Sequence, residues 1–405
     1  MNAICLVVDR LHAGYLGAYG NSWIATPAID CLAAEGFVFD QCLIDSPQLE
    51  ILCRSLWLGS HALAPPQPSP EQGHLARRLA AAGVAATLIT DEAEIAAHPL
   101  ADGFETVLRI PAAEGVAAAE TADQTHLAWC FAHLIDWLES APATFCVWCH
   151  LKGLGAPWDA PLDFRRQYME EGDPEPPSAA AVPSRMLPSD YDPDELLGFS
   201  QAYAGQVTLL DTCVGALMEF LQTTPLGPET VVVLLSPRGF PLGEHGRLGP
   251  CDEALYNELV HVPLVLRFPD GLGAAGRSHA LVQPEDLFAT LLDLWGVPPD
   301  GLPPTTRSLM PLVREEAEGL RDRLGIAGLG AERAIVTPVW YLRMAGAEEL
   351  FVRPDDRWQV NNVFDRCAEV VELLRQAYWH FEQAVQSCQL SQIPRLHEAL
   401  VTPPD

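Results

Sequence analysis

The sequence predicts an α/β protein: a mostly parallel sheet covered on both faces by helices, with a smaller carboxy-terminal α+β portion. Three observations carry that expectation. Short apolar runs alternate with stretches whose apolar residues recur at helical spacing, which is the pattern of parallel strands joined by crossover helices. The first run, residues 3–8, is continuously apolar and ends in Asp9, as a buried parallel strand does when its carboxyl end opens onto a site. The chain's 405 residues, 49% of them hydrophobic and 19% charged, suffice for one large core and an appendage.

The elements follow in order. Thr26-Pro27 supplies a cap with Pro in the first turn, and Ile29, Leu32, Ala33 and Gly36 continue it as a helix. Further strands are expected over 86–90, 145–150, 231–236 and 263–268, with helices over 126–140 and 199–223. Residues 172–193 are crowded with Pro, Ser, Ala and acids, and read as a long exposed insertion inside a core domain of residues 1–318. Residues 311–330 read as a charged helical bridge into a second portion, 319–405. There 334–343 and 349–353 look like paired strands, followed by an amphipathic helix over 368–385.

Composition narrows the function. With 24 Lys and Arg against 54 Asp and Glu, the net charge of −30 disfavours nucleic-acid partners and polybasic attachment to membranes. Lys152 is the sole lysine, so basic chemistry falls to arginine. No apolar run approaches the roughly 20 residues of a membrane span. No basic segment precedes residues 3–8, so no export signal is expected and the expected location is cytoplasmic. Eleven cysteines lie scattered, often in apolar segments, as buried thiols of a reducing compartment would. Cys146 and Cys149 share a strand at an odd separation, which sends them to opposite faces rather than to one metal.

A family resemblance rests on motifs that recur in order along nearly the whole chain. They are Leu6-Val7-Val8-Asp9-Arg10-Leu11, Leu16-Gly17-Ala18-Tyr19-Gly20-Asn21, the segment from Thr26 to Gly36, Tyr203 to Asp211, Gly243-Glu244-His245-Gly246, Val262-Pro263-Leu264-Val265, Asp286 with Thr290-Leu291-Leu292-Asp293, and Ser308-Leu309-Met310-Pro311-Leu312. In these the chain resembles the sulfatases of the alkaline phosphatase superfamily. The resemblance implies a central mixed sheet between helices, a metal and nucleophile site at the carboxyl ends of the strands, and a small antiparallel sheet packed by a final helix. Glu349-Leu350-Phe351, Pro354-Asp355-Asp356 and Asn361-Asn362 are similar to that last subdomain.

The site positions depart from the family. Two adjacent aspartates hold calcium in sulfatases, and here the pair is Asp9-Arg10; the second metal pair aligns with Pro237-Arg238. Only Asp9 remains, and hard divalent ions need several oxygen ligands, so neither calcium nor another cofactor is expected. The family's nucleophile is a cysteine converted to formylglycine. Anchored on Ser55-Leu56-Trp57-Leu58-Gly59, its position falls on Leu49, with Cys53 at the motif arginine; a register shifted by one puts Glu50 there and aligns Arg54 with the arginine. The sulfate-holding Lys and His align with Asp91 and Ala93, a further His with Gly155, and a late Lys with Pro250. No intact catalytic set is therefore expected.

Three readings follow. The first is a catalytically degenerate sulfatase-fold protein that binds a small anion or sulfated ligand through Arg10, Arg54 and Arg238, since guanidinium groups hold oxyanions without metal. Its plain counterpart is that Asp9 pairs with Arg10 or loop amides and Arg238 with some other carboxylate. The second is an active sulfuric- or phosphoric-ester hydrolase with an unconventional site, for which Glu50, Asp9 and His150 are the candidates. The third is a structural partner of a true sulfatase through the insertion 172–193. His150 and Lys152 read as cleft-rim residues and His245 as a turn residue.

Overall fold

The computed structural model describes residues 1–66, 73–112 and 115–402. The first apolar run is strand β1 (Asn2–Val8), buried along its whole length. A strand hidden on both sides must be flanked by strands and covered by helices. Accordingly β1 lies between two parallel partners, β5 (Phe145–Leu151) and β7 (Thr230–Leu235). Parallel to β5 runs β3 (Ala85–Thr90), and parallel to β3 the short β4 (Thr106–Arg109). On the other side β9 (Leu264–Arg267) is antiparallel to β7 and also to β2 (Phe37–Cys42). With β10 (Gly276–Val282) this is an eight-stranded sheet in the order β10-β2-β9-β7-β1-β5-β3-β4, mixed and mostly parallel.

Contacts divide the chain into two compact units, each assembled from separated segments. The first is 1–38, 83–251 and 262–277; the second is 39–82, 252–261 and 278–405. In the first unit, helices His126–Glu139 and Pro193–Thr223 pack Leu127, Phe131, Leu134, Ala202, Val207 and Leu210 into one core with Ile4, Leu6, Val147 and Val232. The first helix starts where Thr125 Oγ1 accepts from the Ala128 N–H. The helix Pro193–Thr223 is long and apolar enough to cross a membrane, but two thirds of its apolar window is buried inside the protein, where it packs on helices Pro27–Ala34 and His126–Glu139. Its Asp211 carboxylate accepts the Ala28 and Ile29 N–H groups, capping the helix that begins at Pro27.

The stretch 172–193 is mostly exposed, as expected, but the helix begins at Pro193 with Asp192 as its cap, earlier than residue 199. The insertion is tied down by Arg165, which is fully buried and, among the described residues, donates to the backbone carbonyls of Trp158, Ala160, Pro177 and Ala179. Its short strand β6 (Arg185–Met186) pairs with β8 (Arg247–Leu248).

In the second unit β11 (Leu324–Ala327), β12 (Arg333–Val336), β13 (Trp340–Met344) and β14 (Glu349–Val352) form an antiparallel sheet in that order. The helix Ala368–Gln386 lays Val371, Leu374, Ala377 and Tyr378 against Ile335, Leu342 and Leu350. The helical bridge expected over 311–330 is not there. Helix Met310–Val313 is short, and Leu324-Gly325-Ile326-Ala327 is a buried strand. Both faces of that strand are covered, so burial overrides the helix-favouring charges that precede it. Residues 334–343 are likewise two strands. The Thr337 N–H donates to the Trp340 carbonyl and Thr337 Oγ1 accepts the Trp340 N–H, closing a turn.

Also in this unit, Gly59 ends the helix Leu49–Leu58 in the left-handed region (φ 63°). A Cβ there would stand 2.7 Å from Phe288 Cδ1 and 2.9 Å from Thr306 Oγ1. Gly59→Ala is therefore expected to cost at least about 1 kcal/mol, read as a lowered urea midpoint at unchanged slope.

Candidate functional site

The first unit gathers most of the expected site residues at the carboxyl ends of β1, β3, β5 and β7. Asp9 leaves β1 with its backbone fixed on both sides. Its N–H donates to the Leu151 carbonyl (3.0 Å), and its own carbonyl accepts from Leu154 (2.9 Å). Gly153 (φ 57°) makes that approach possible, since a Cβ there would come within 2.6 Å of Asp9 O.

The Asp9 carboxylate is buried and is held by Arg238, the residue two past Ser236 at the end of β7. Arg238 Nε donates to Oδ1 at 3.1 Å and Nη2 donates to Oδ2, a side-on bidentate pair. Burial pushes the Asp9 carboxyl up, but Arg238 and then Arg10 outweigh it and leave the group below its ordinary value. Asp9 is thus held by Arg238, and the Arg10 backbone N–H also donates to its Oδ1, at 2.9 Å.

Arg10 has a positive φ of 65°, a conformation that costs about 1 kcal/mol or more in a non-glycine residue and needs surroundings that enforce it. The enforcement is visible. Tyr203 Oη donates to the Arg10 carbonyl (2.7 Å) and accepts the His12 N–H (2.9 Å), while Ser236 Oγ accepts the Leu11 N–H (3.1 Å) and donates to the Arg238 carbonyl (2.6 Å). The Arg10 side chain then turns toward Gly239 O (3.4 Å) and passes Gly155, where a Cβ would lie 3.1 Å from Arg10 Cγ. The position that aligns with a family histidine is thus one where the arginine leaves little room for a side chain.

His150, on the last turn of pleat in β5, is buried, and neither ring nitrogen has a hydrogen-bond partner among the described residues. Burial, with Arg238 adding to it, drives its pKa down to about 4 against the opposing pull of Asp9 and Asp91. The imidazole is therefore neutral at neutral pH. Lys152 is exposed and its N–H donates to Asp91 Oδ1 at 2.7 Å. Asp91 Oδ2 lies 2.9 Å from His126 Nε2, and Cys130 Sγ lies 3.5 Å from the same nitrogen. These three buried groups offer an oxygen, a nitrogen and a sulfur within 4.8 Å of one another. Burial and then Asp91 hold the Cys130 thiol protonated, so the cluster as it stands is hydrogen-bonded rather than thiolate-bearing.

Ala93, Pro237 and Pro250 bring no polar side chain. Ala93 opens the helix Ala93–Ala97 and is exposed; Pro237 is buried in the loop after β7; Pro250 follows Gly249, whose N–H donates to Pro241 O. His245 sits in a tight turn with φ 51°. In the second unit the helix Leu49–Leu58 carries the nucleophile segment: Leu49 half-buried, Glu50 exposed, Cys53 buried. Arg54 Nη2 donates to Ser60 Oγ (3.4 Å) and Ala64 O (3.2 Å) beyond the end of that helix. For calcium, the family's ion, the first unit's edge offers the Asp9 carboxylate, whose oxygens both face a guanidinium, and that of Asp91, whose oxygens face the Lys152 N–H and His126 Nε2. That donor set does not fit a hard divalent ion.

Sequence reasoning missed Tyr203, Ser236, His126 and Cys130 as parts of this edge. Their signal is weak, because each is a common polar residue inside an apolar helix or at a strand end. Cys146 and Cys149 do diverge: Cys146 meets Cys5, and Cys149 joins the helix-covered core near Cys130.

Comparison with known proteins adds the kinship. The sulfatase family model matches residues 1–297. An N-acetylglucosamine-6-O-sulfatase of Bacteroides thetaiotaomicron is 31% identical over 99 residues, 24% of this chain but 17% of that protein. The matched stretch is thus well under a third of the curated relative. Among solved structures, a phosphonate monoester hydrolase of Agrobacterium radiobacter superposes with a TM-score of 0.75 at 17% identity, covering 100% of this chain and 99% of that one. A protein solved in complex with its substrate D-glucosamine-2-N,6-O-disulfate gives 0.74 at 18% identity, over 95% and 98%. At these identities the likeness is one of fold.

Proposed function

The chain belongs to the sulfatase family, and from that premise we propose that it is a catalytically degenerate member whose metal and nucleophile centre has given way to an ion-paired, arginine-bearing edge. The observation that carries this reading is the bidentate seat of Arg238 on Asp9. A guanidinium there supplies the positive charge that an ion would supply, without an open coordination position to polarise an ester or activate water. The motif order puts Leu49 at the nucleophile position in one register, a side chain with no lone pair to offer, and Glu50 there in the register shifted by one.

Arg10 and Arg238 bring two guanidinium groups to this edge, and guanidinium groups can hold a sulfate-type anion without metal and without turnover. The reading calls for no calcium. An active hydrolase with an unconventional site is the second reading, and His150 favours it: a buried neutral imidazole beside Asp9 with both nitrogens open among the described residues. The substrate types to try are sulfated sugars and phosphonate monoesters, after the proteins it resembles.

The test is metal content and turnover together. Purified protein equilibrated with calcium, magnesium and manganese, then freed of unbound ion, should retain less than about a tenth of an ion per chain. It should release no nitrophenol from 4-nitrophenyl sulfate or from 4-nitrophenyl phenylphosphonate above the buffer blank. One tightly held ion per chain, or turnover that Asp9→Asn abolishes, would overturn the proposal.

A further inference from the structure

The second unit contains a feature that no sulfatase-type chemistry calls for: a cavity of about 230 Å³ with a cationic wall and an apolar wall. Arg307, Arg321, Arg323 and Arg395 form the first; Phe381, Leu390, Ile393 and Pro394 form the second. In a chain with 24 basic residues against 54 acidic ones, four guanidinium groups around one cavity are costly unless something negative is to be held between them.

Acids pair with two of the four guanidinium groups. Asp322 binds Arg323 (Nε to Oδ1 2.8 Å, Nη2 to Oδ2 3.0 Å), and Asp286 Oδ1 accepts from Arg321 Nη2 at 2.5 Å. Arg307 Nη1 donates to the Pro304 and Thr306 carbonyls, which carry no charge. Its pKa is lowered by burial and then by neighbouring Arg321, which together outweigh the pull of Asp286 and Glu285.

The floor of the cavity holds polar groups that the protein leaves open. Glu285 is fully buried, and neither carboxyl oxygen has a hydrogen-bond partner among the described residues. Arg321 Nη1 and Thr305 Oγ1 are buried and likewise without a partner there. Buried polar atoms are nearly always satisfied, and a cluster of exceptions facing one cavity marks where a ligand or solvent completes the network. Burial, then Asp45 and Asp286, push the Glu285 carboxyl well above its ordinary value against the pull of Arg321, which favours the protonated form that can donate a hydrogen bond.

We propose that this cavity binds a small organic oxyanion with an apolar body, its oxyanion held between Arg321, Arg307 and Glu285 and its body against Phe381 and Ile393. A carboxylate or phosphonate head takes parallel N–H donors from a guanidinium and the Glu285 hydroxyl on its remaining oxygen. The apolar wall rejects a bare ion in favour of one that carries hydrocarbon. This inference is independent of the proposal for the Asp9–Arg238 edge, which lies in the other unit.

The experiment is calorimetric titration of the full chain with phenylphosphonate and with benzoate, using inorganic phosphate and benzamide as controls that lack the body or the charge. Saturable binding of at least one organic anion is expected, about tenfold or more tighter than either control. Arg307→Gln/Arg395→Gln, two exposed positions whose replacement should leave the fold intact, should weaken it about tenfold or more. Glu285→Gln, which keeps a neutral donor, should retain binding, whereas Glu285→Leu should lose it. Arg10→Ala should leave this binding unchanged. Absence of saturable binding by a folded protein, equal affinity for phosphate, or loss in Arg10→Ala but not in Arg307→Gln/Arg395→Gln would each overturn the assignment.

Discussion

Arg238→Ala should destabilise the protein by roughly 3–5 kcal/mol at neutral pH, the cost of stranding one member of a buried ion pair. Asp9 is the stranded group: its side chain is 4% exposed, and it depends on Arg238 more than on any other charge. Removing both charges, as in Asp9→Asn/Arg238→Met, should recover most of the loss, because a satisfied neutral network can replace a buried pair at little cost. The pH dependence carries the sign. In the parent, the Asp9 pKa is lowered in the folded state, so its stabilising contribution is complete above the unfolded value near 3.9 and is lost as pH falls through the folded one. In Arg238→Ala, burial is left with less opposition and raises that pKa instead. The variant's deficit should therefore be largest near neutrality and shrink on acidification. Urea unfolding at pH 7 and pH 4.5 reads both effects; a deficit under about 1 kcal/mol at pH 7 would mean that the pair is solvated and contributes as a surface bridge does.

Why the sequence exposes some of this architecture and hides the rest follows from the range of each signal. β1 is legible because continuous apolarity ending in an acid is a local pattern, and the same holds for β3, β5 and β7. β11 is hidden by its approach: Arg314, Glu315, Glu316, Glu318, Arg321, Asp322 and Arg323 favour a helix on paper, while burial of Leu324 to Ala327 is decided by strands on either side of a later turn. β2 and β10 mix polar residues into their runs, Asp40 and Gln41 in one and Arg277, Ser278 and His279 in the other. At the site, adjacency suggests Asp9 with Arg10, yet the carboxylate takes its bidentate partner from a residue 229 positions distant. The substitution pattern at Asp9, Arg10, Pro237 and Arg238 is visible from motif order alone. The pairing that results is not, because it depends on β1 and β7 being neighbours with their ends in register.

His150 should make the protein lose on the order of 3 kcal/mol of stability between pH 6.5 and pH 4, and His150→Leu should erase that loss. Its folded pKa lies at about 4 against an unfolded value near 6.5. Between those limits the unfolded chain binds the proton and the folded one resists it, so stability is full above pH 6.5 and declines by about 1.4 kcal/mol per pH unit below it. Leucine removes both the titration and two buried nitrogens that have no partner among the described residues, so at pH 7.5 the variant should be as stable as the parent or more so. Stability curves from pH 4 to 8 that run parallel for the two proteins would show that the ring is solvated. The same number bears on chemistry. A general base works best with a pKa near the operating pH, and an imidazole at about 4 is unprotonated at neutrality yet a weak acceptor of protons. Its lowered basicity has burial first and then Arg238 as causes, so the guanidinium that closes Asp9 to a metal also makes the neighbouring histidine a poorer catalyst. An active site built on His150 would first have to admit water to the ring, since burial is the larger cause and Arg238 the smaller.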